Sequence, residues 1–184
     1  TIISAVILML SAAINAQNIE PPILAERVAS GQLEPMAERL PEQPYVDEHA
    51  NPDAQYGGTM RLLLGKSKDI RQMVVYGYAR LVGYNRDLKL VPDILRDFTV
   101  EEGRIFTFYL RKGMRWSDGT PFTAEDFRYY WEDIASNKFL SPFGPAKVFL
   151  VEGKLPTFEK LDQWTIRYTW EQPNPNFLPA LAEP

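Results

Sequence analysis

The stretch LRKGMRWSDGTPFTAEDF, residues 110–127, decides the fold. It follows an alternating run, RIFTFYL at residues 104–110, and leads into the series Phe127, Tyr130, Trp131 and Ile134. In the first run Phe106, Phe108 and Leu110 face one way while Ile105, Thr107 and Tyr109 face the other, the period-two signature of a strand. The second series falls at i, i+3, i+4 and i+7, the buried stripe of a helix. Between them Arg111-Lys112-Gly113 turns out of the strand, and Trp116 is expected to pack back on the lobe. Ser117-Asp118-Gly119-Thr120 is a tight turn in which Gly119 supplies positive φ. Thr123 is the N-cap of the helix: its hydroxyl is placed to accept the amide of Asp126, and the Asp126 carboxylate can reach back. Glu125 and Asp126 stand where the helix dipole favours negative charge. Every polar residue in the stretch thus has an architectural task in a strand-turn-helix joint, and none is required for chemistry.

Working outward, FTV, EEG and RIFTFYL read as a hairpin ending at Leu110. Upstream, TMRLLLG (59–65) reads as a strand stopped by Gly65. KDIRQMVVYGYARL (68–81) carries Ile70, Met73, Val74, Tyr78 and Leu81 at helical spacing, and YNRD is a turn. Downstream, WTIRYTW alternates with Trp164, Ile166, Tyr168 and Trp170 on one face and Thr165, Arg167 and Thr169 on the other. QPNPN then breaks the strand and FLPALA begins a helix. The elements predict a mixed α/β lobe with antiparallel hairpins.

The N-terminal third has a different character. TIISAVILMLSAAINA (1–16) is uncharged, with one apolar run from Ile2 to Ala13 and small residues before Gln17. It is too short to span a bilayer comfortably and matches the apolar region of an export signal. The basic region that precedes such a segment is absent and the first residue is Thr, so the start of the gene product is expected upstream; a membrane-anchoring or buried helix is the competing reading. Residues 17–56 read as an arm or linker. Pro21-Pro22 opens a short helix that Gly31 closes, and a helical turn follows around Pro35 to Leu40. PEQPYVDEHANPDAQYGG then brings Pro, acids and turn residues. The resulting division is an export signal at 1–16, an arm at 17–56 and the body of the domain from 57 to 184.

Composition narrows the function. The 184 residues are 45% hydrophobic and 24% charged, with a net charge of −4. That balance suits a globular lobe and speaks against a phosphate-tracking nucleic-acid surface. There is no Cys and one His, His49, which leaves no thiol chemistry and no His-rich metal site; His49 beside Asp47 and Glu48 reads as part of a solvated acidic loop. Gly65-Lys66-Ser67 lacks the leading Gly of a phosphate-cradling loop, since Met60 stands five residues before Gly65. A His-based nucleophile relay has His49 as its one poor candidate. The pairs Glu125/Asp126 and Glu132/Asp133 are adjacent on a helix and do not aim at a shared substrate.

FTFYLRKGMRWSDGTPFTAEDF resembles, almost residue for residue, the signature of the family 5 extracellular solute-binding proteins, the oligopeptide and dipeptide receptors of bacterial ABC importers. LVPDILRDFTVEEGR (90–104), KLDQWTIRYTWEQPNPNFLPALA (160–182) and YGGTMRLLLG (56–65) resemble further blocks of the family in its own order. Two places depart from it. KSKDIRQ (66–72) stands where the family often has Leu-Asp-Pro, and the arm is longer than the common pattern. The resemblance implies an α/β, periplasmic-binding-protein-like fold of two lobes with an extra hairpin subdomain, of which this chain holds only part of the first lobe. It implies a periplasmic monomer that captures peptides or a similar small solute and delivers it to an inner-membrane ABC permease, with no catalysis, no cofactor and no metal. Chemosensing on the same scaffold, or a non-peptide solute such as a sugar, an opine or a metal chelate, is the alternative. Ligand contacts are implied for Lys66 and Ser67, after the first strand, and for Phe143 in LSPFGPA.

Overall fold

Why the hairpin forms at residues 95–110 is visible in its two faces. The computed structural model describes residues 20–46, 51 and 53–183; the segment 1–16 and His49 lie outside the described residues. These fall into two compact units. The first draws on the described residues of Thr1–Arg39 and Val46–Gly58. It holds helix α1 (Pro22–Ala29), with Pro in its first turn, and the turn α2 (Met36–Arg39). Gly31 follows α1 at φ +71°, and the Glu20 carboxylate accepts the Met36 amide and pairs with Arg39. Among the described residues no helix is long and apolar enough to cross a membrane.

The second unit is Leu40–Tyr45 with Thr59–Pro184. It begins with a 3-10 helix at Ser67–Met73 that runs into α3 (Val74–Gly77). A small hairpin follows, β1 (Val82–Tyr84) and β2 (Leu90–Pro92), closed by Asn85, whose side chain accepts the amides of Asp87 and Lys89. Then come β3 (Leu95–Glu101), β4 (Ile105–Leu110), α4 (Ala124–Arg128), β5 (Thr157–Asp162), β6 (Thr165–Thr169) and α5 (Phe177–Ala180). The last four strands form one antiparallel sheet in the order β3-β4-β6-β5.

One face of that sheet carries the core. Phe106, Phe108, Leu110, Ile166 and Tyr168, with Trp170 just past β6, are all 4% exposed or less. Trp131, Phe149 and Phe177 close over them. Phe177 meets the rings of Phe106, Phe108, Phe149, Tyr168 and Trp170 at centroid distances of 4.7–6.0 Å, several tilted or edge-on, the arrangements that aromatic quadrupoles favour. A one-turn helix has no intrinsic stability; α5 is held by this ring and by Asn174. Asn174 is 4% exposed, donates its side-chain amide to the Val148 carbonyl and its backbone amide to that of Gly103.

Three expectations need correction. Thr59–Gly65 forms no strand: Leu63 is fully exposed, and no described strand lies beside it to take up its backbone groups. A strand without a partner has no ladder to hold it. The helix expected at 68–81 is the 3-10 helix and the single turn α3, ending at Gly77, with Tyr78 69% exposed. Tyr130 is not buried but 44% exposed. The reason is that α4 continues as a π-helix, Tyr129–Ala135, with the Ser136 amide bonded five residues back to the Trp131 carbonyl. With that wider winding Trp131 and Ala135 are buried while Tyr130 is turned outward. Trp116 does pack back on the lobe, edge-on against Phe122, while remaining half-exposed.

Candidate functional site

The joint read from the sequence is present and tightly bonded. The expected reciprocal cap between Thr123 and Asp126 is present, with the Thr123 amide donating to the Asp126 carboxylate at 2.7 Å, and the Glu125 amide also donates to the Thr123 hydroxyl at 3.2 Å. The other Asp126 oxygen accepts the Trp116 indole N–H at 2.9 Å, and Trp116 stacks edge-on against Phe122 at 5.1 Å. Gly119 takes φ +88° beside Asp118, whose carboxylate accepts the amide and hydroxyl of Thr120. On the helix surface Arg128 pairs with Glu125, Glu132 and Asp133, and Lys160 of β5 pairs with Glu125. The adjacent acids therefore serve a cationic hub and an inter-element tie. Exposed pairs of this kind contribute little individually, because water screens them.

At the other end of the joint a buried charge is satisfied by main chain. Arg111 is 9% exposed, and it donates Nε to the Asp93 carbonyl at 3.1 Å and Nη1 to the Gln43 carbonyl. Burial pulls its guanidinium below the ordinary arginine value, partly offset by Asp93. The segment at 41–43 lies against the turn after β4: Glu42 donates its amide to the Lys112 carbonyl at 2.9 Å. A Cβ on Gly113 would stand 3.4 Å from the Pro41 Cα, and Gly113 sits at φ +86°, so this turn needs glycine on both counts.

Two cavities open beside this contact. One, of about 420 Å³, is lined by Arg96, Tyr109, Lys112, Asp162, Gln163 and Trp164 among others. The second, of about 210 Å³, is lined by Glu42, Gln43, Arg96, Arg111 and Lys112. Arg96 lies over the Tyr109 ring with its guanidinium carbon 5.5 Å from the centroid. Asp162 accepts the Trp164 amide at 2.6 Å, and this bond, with those from Thr165, holds its carboxyl below the ordinary range.

The residues singled out from the sequence as ligand contacts stand elsewhere. Lys66 precedes the 3-10 helix with its amide bonded to the Asp69 carboxylate at 2.9 Å, and Ser67 is the first helical residue; both are exposed. Phe143 is fully exposed on a turn closed by the Gly144 amide on the Ser141 carbonyl. All three are thus exposed, and none of them lines either cavity. Sequence reading missed the Arg96–Arg111–Lys112 convergence. Only the pair Arg111-Lys112 was legible, because Gln43 and Arg96 reach it through the fold.

Comparison with known proteins agrees with the geometry. Residues 89–184 match the family described as bacterial extracellular solute-binding proteins, family 5 Middle. The periplasmic alpha-galactoside-binding protein of Rhizobium meliloti is 30% identical over 182 residues, 85% of this chain and 26% of that protein. The periplasmic oligopeptide-binding protein OppA of Escherichia coli is 30% identical over 105 residues, 50% of this chain and 19% of that protein. A solved structure of an oligopeptide-binding protein OppA superposes with a TM-score of 0.74 at 32% identity, covering 89% of this chain and 25% of that one. The chain thus spans about a quarter or less of the relatives it matches, and carries part of their α/β periplasmic-binding-protein fold. This chain belongs to family 5 of the bacterial extracellular solute-binding proteins.

Proposed function

We propose that this chain is the N-terminal part of the first lobe of a periplasmic receptor. The receptor captures peptides or a similar small solute between two lobes and delivers it to an inner-membrane ABC permease, without catalysing a reaction. The observation that carries this reading is the superposition of 89% of the chain on an oligopeptide-binding protein at 32% identity. Residues 1–16 serve as the export signal and 17–56 as an arm. Lys66, Ser67 and Phe143 face the solute; their exposure supports that role, Phe143 being fully exposed. A site between lobes suits the task because closure buries the ligand from both sides and excludes water.

A sugar solute is the second reading, favoured by the alpha-galactoside-binding relative that aligns with 85% of the chain. Equilibrium titration of the mature protein from periplasmic extracts, against a tripeptide library and against α-galactosides, separates the two. Saturable binding of peptides supports the first and of galactosides the second. Turnover of either class, with no binding that survives inactivation, would overturn both.

A further inference from the structure

The two cavities beside the joint meet across Arg96 and Lys112, each of which lines both. The whole chain carries −4, yet three cations converge here. Among the described residues none of Arg96, Arg111 and Lys112 has an ion-pair partner. Arg111 spends two donors on main-chain carbonyls and feels the charge of Asp93, without an ion pair to it. Arg96 uses its face on Tyr109, so the N–H groups along its edge remain available. The acids nearby do not close the site. Asp162 lines the larger cavity and its charge acts on Lys112, but its carboxylate is already engaged by the Trp164 amide and by Thr165. Glu42 lines the smaller cavity; each cavity thus holds one carboxylate, and the larger is the favourable one because its carboxylate already accepts hydrogen bonds from the protein. Tyr109 and Gln163, neutral residues that can donate, also line that cavity.

We propose that the 420 Å³ cavity binds a compact oxyanion, a carboxylate or a phosphate group, between the Lys112 ammonium and the Arg96 guanidinium. Charge-assisted hydrogen bonds to an oxyanion are stronger than neutral ones, and the arginine edge matches its geometry. The site is separate from the proposed solute contacts, since Lys66, Ser67 and Phe143 do not line it. It therefore stands or falls independently of the solute the receptor carries.

The test is a nuclear magnetic resonance titration of the labelled chain at low ionic strength, with inorganic phosphate and, in a second series, with acetate. The Gln163 side-chain amide and the Trp164 indole report on the cavity. Saturable shifts at both groups are expected. Lys112→Gln and Arg96→Gln should each weaken binding about tenfold, the scale of one charge-assisted bond. Both residues are exposed, so resonances outside the cavity should superpose on those of the parent and show the fold intact. Arg128→Gln removes a cation from α4 and should change nothing at the cavity. A response to phosphate alone assigns the site to phosphate groups, and a response to acetate alone assigns it to carboxylates. No saturable shift with either anion, or equal weakening by all three substitutions, would overturn the proposal.

Discussion

Replacing Phe177 by Ala tests the aromatic core most severely. Phe177 has no solvent exposure and touches five rings drawn from β4, β6, the residue after β6 and the 3-10 turn at Lys147–Phe149. Truncation removes the ring contacts and leaves a cavity whose walls are strands locked in register, so they cannot collapse to fill it. Phenylalanine-to-alanine changes at such sites cost about 3–5 kcal/mol. The upper half of that range is expected, because the ring is also the main anchor of the one-turn helix α5. Against the roughly 5–15 kcal/mol by which domains are stable, this is a large share. Urea denaturation followed by tryptophan fluorescence gives the difference directly from paired midpoints and slopes. Phe143→Ala is the control: the residue is fully exposed, and its loss should move the midpoint by less than about 0.5 kcal/mol. A cost below about 1 kcal/mol for Phe177→Ala, or equal costs for the two, would refute the assignment of the core.

Two further perturbations probe the joint and its charges. Thr123→Ala should cost about 1 kcal/mol in the same denaturation assay, since it removes the bond from the Glu125 amide but spares that from the Thr123 amide to Asp126. Thr123→Ser should restore it. Asp118, Glu125 and Asp162 are held below the ordinary carboxylate range, Asp118 chiefly by the Thr120 amide, Glu125 by Lys160 and Arg128, and Asp162 by the Trp164 amide. Because their folded values are depressed, the stability they add is present above the unfolded range near pH 4 and is lost as pH falls through the folded values. Urea midpoints should therefore drop below about pH 4, and Asp162→Asn should flatten part of that acid slope while lowering stability at neutral pH.

What the sequence revealed and what it hid follow from the range of the interactions. The β3–β4 hairpin, the alternation in β6, the Asp118-Gly119 turn and the cap at Thr123 all depend on residues within a few positions of one another, so pattern and turn chemistry exposed them. Thr59–Gly65 carries a strand pattern too, but strand structure depends on a neighbour, and none of the described strands pairs with it. The π winding after Arg128 moved Tyr130 out of a stripe that α-helical spacing had placed inward. Arg111 looked like part of a surface turn. Its burial depends on Gln43, 68 residues away in sequence, and such a contact leaves no local trace. For the same reason Lys66, Ser67 and Phe143 could be named only through resemblance, and the structure shows them exposed.

The central claim is that solute capture requires two lobes, of which this chain supplies part of one. Titration calorimetry on the mature full-length receptor and on residues 17–184 alone, against the same peptide and galactoside panels, tests it most directly. A single lobe must overcome the lost translational and rotational freedom of the ligand, several kcal/mol, without a second wall. The account predicts micromolar or tighter binding by the full receptor. For residues 17–184 it predicts about millimolar binding at best, near −4 kcal/mol. Micromolar binding by residues 17–184 alone would place the whole site within this lobe and contradict the account.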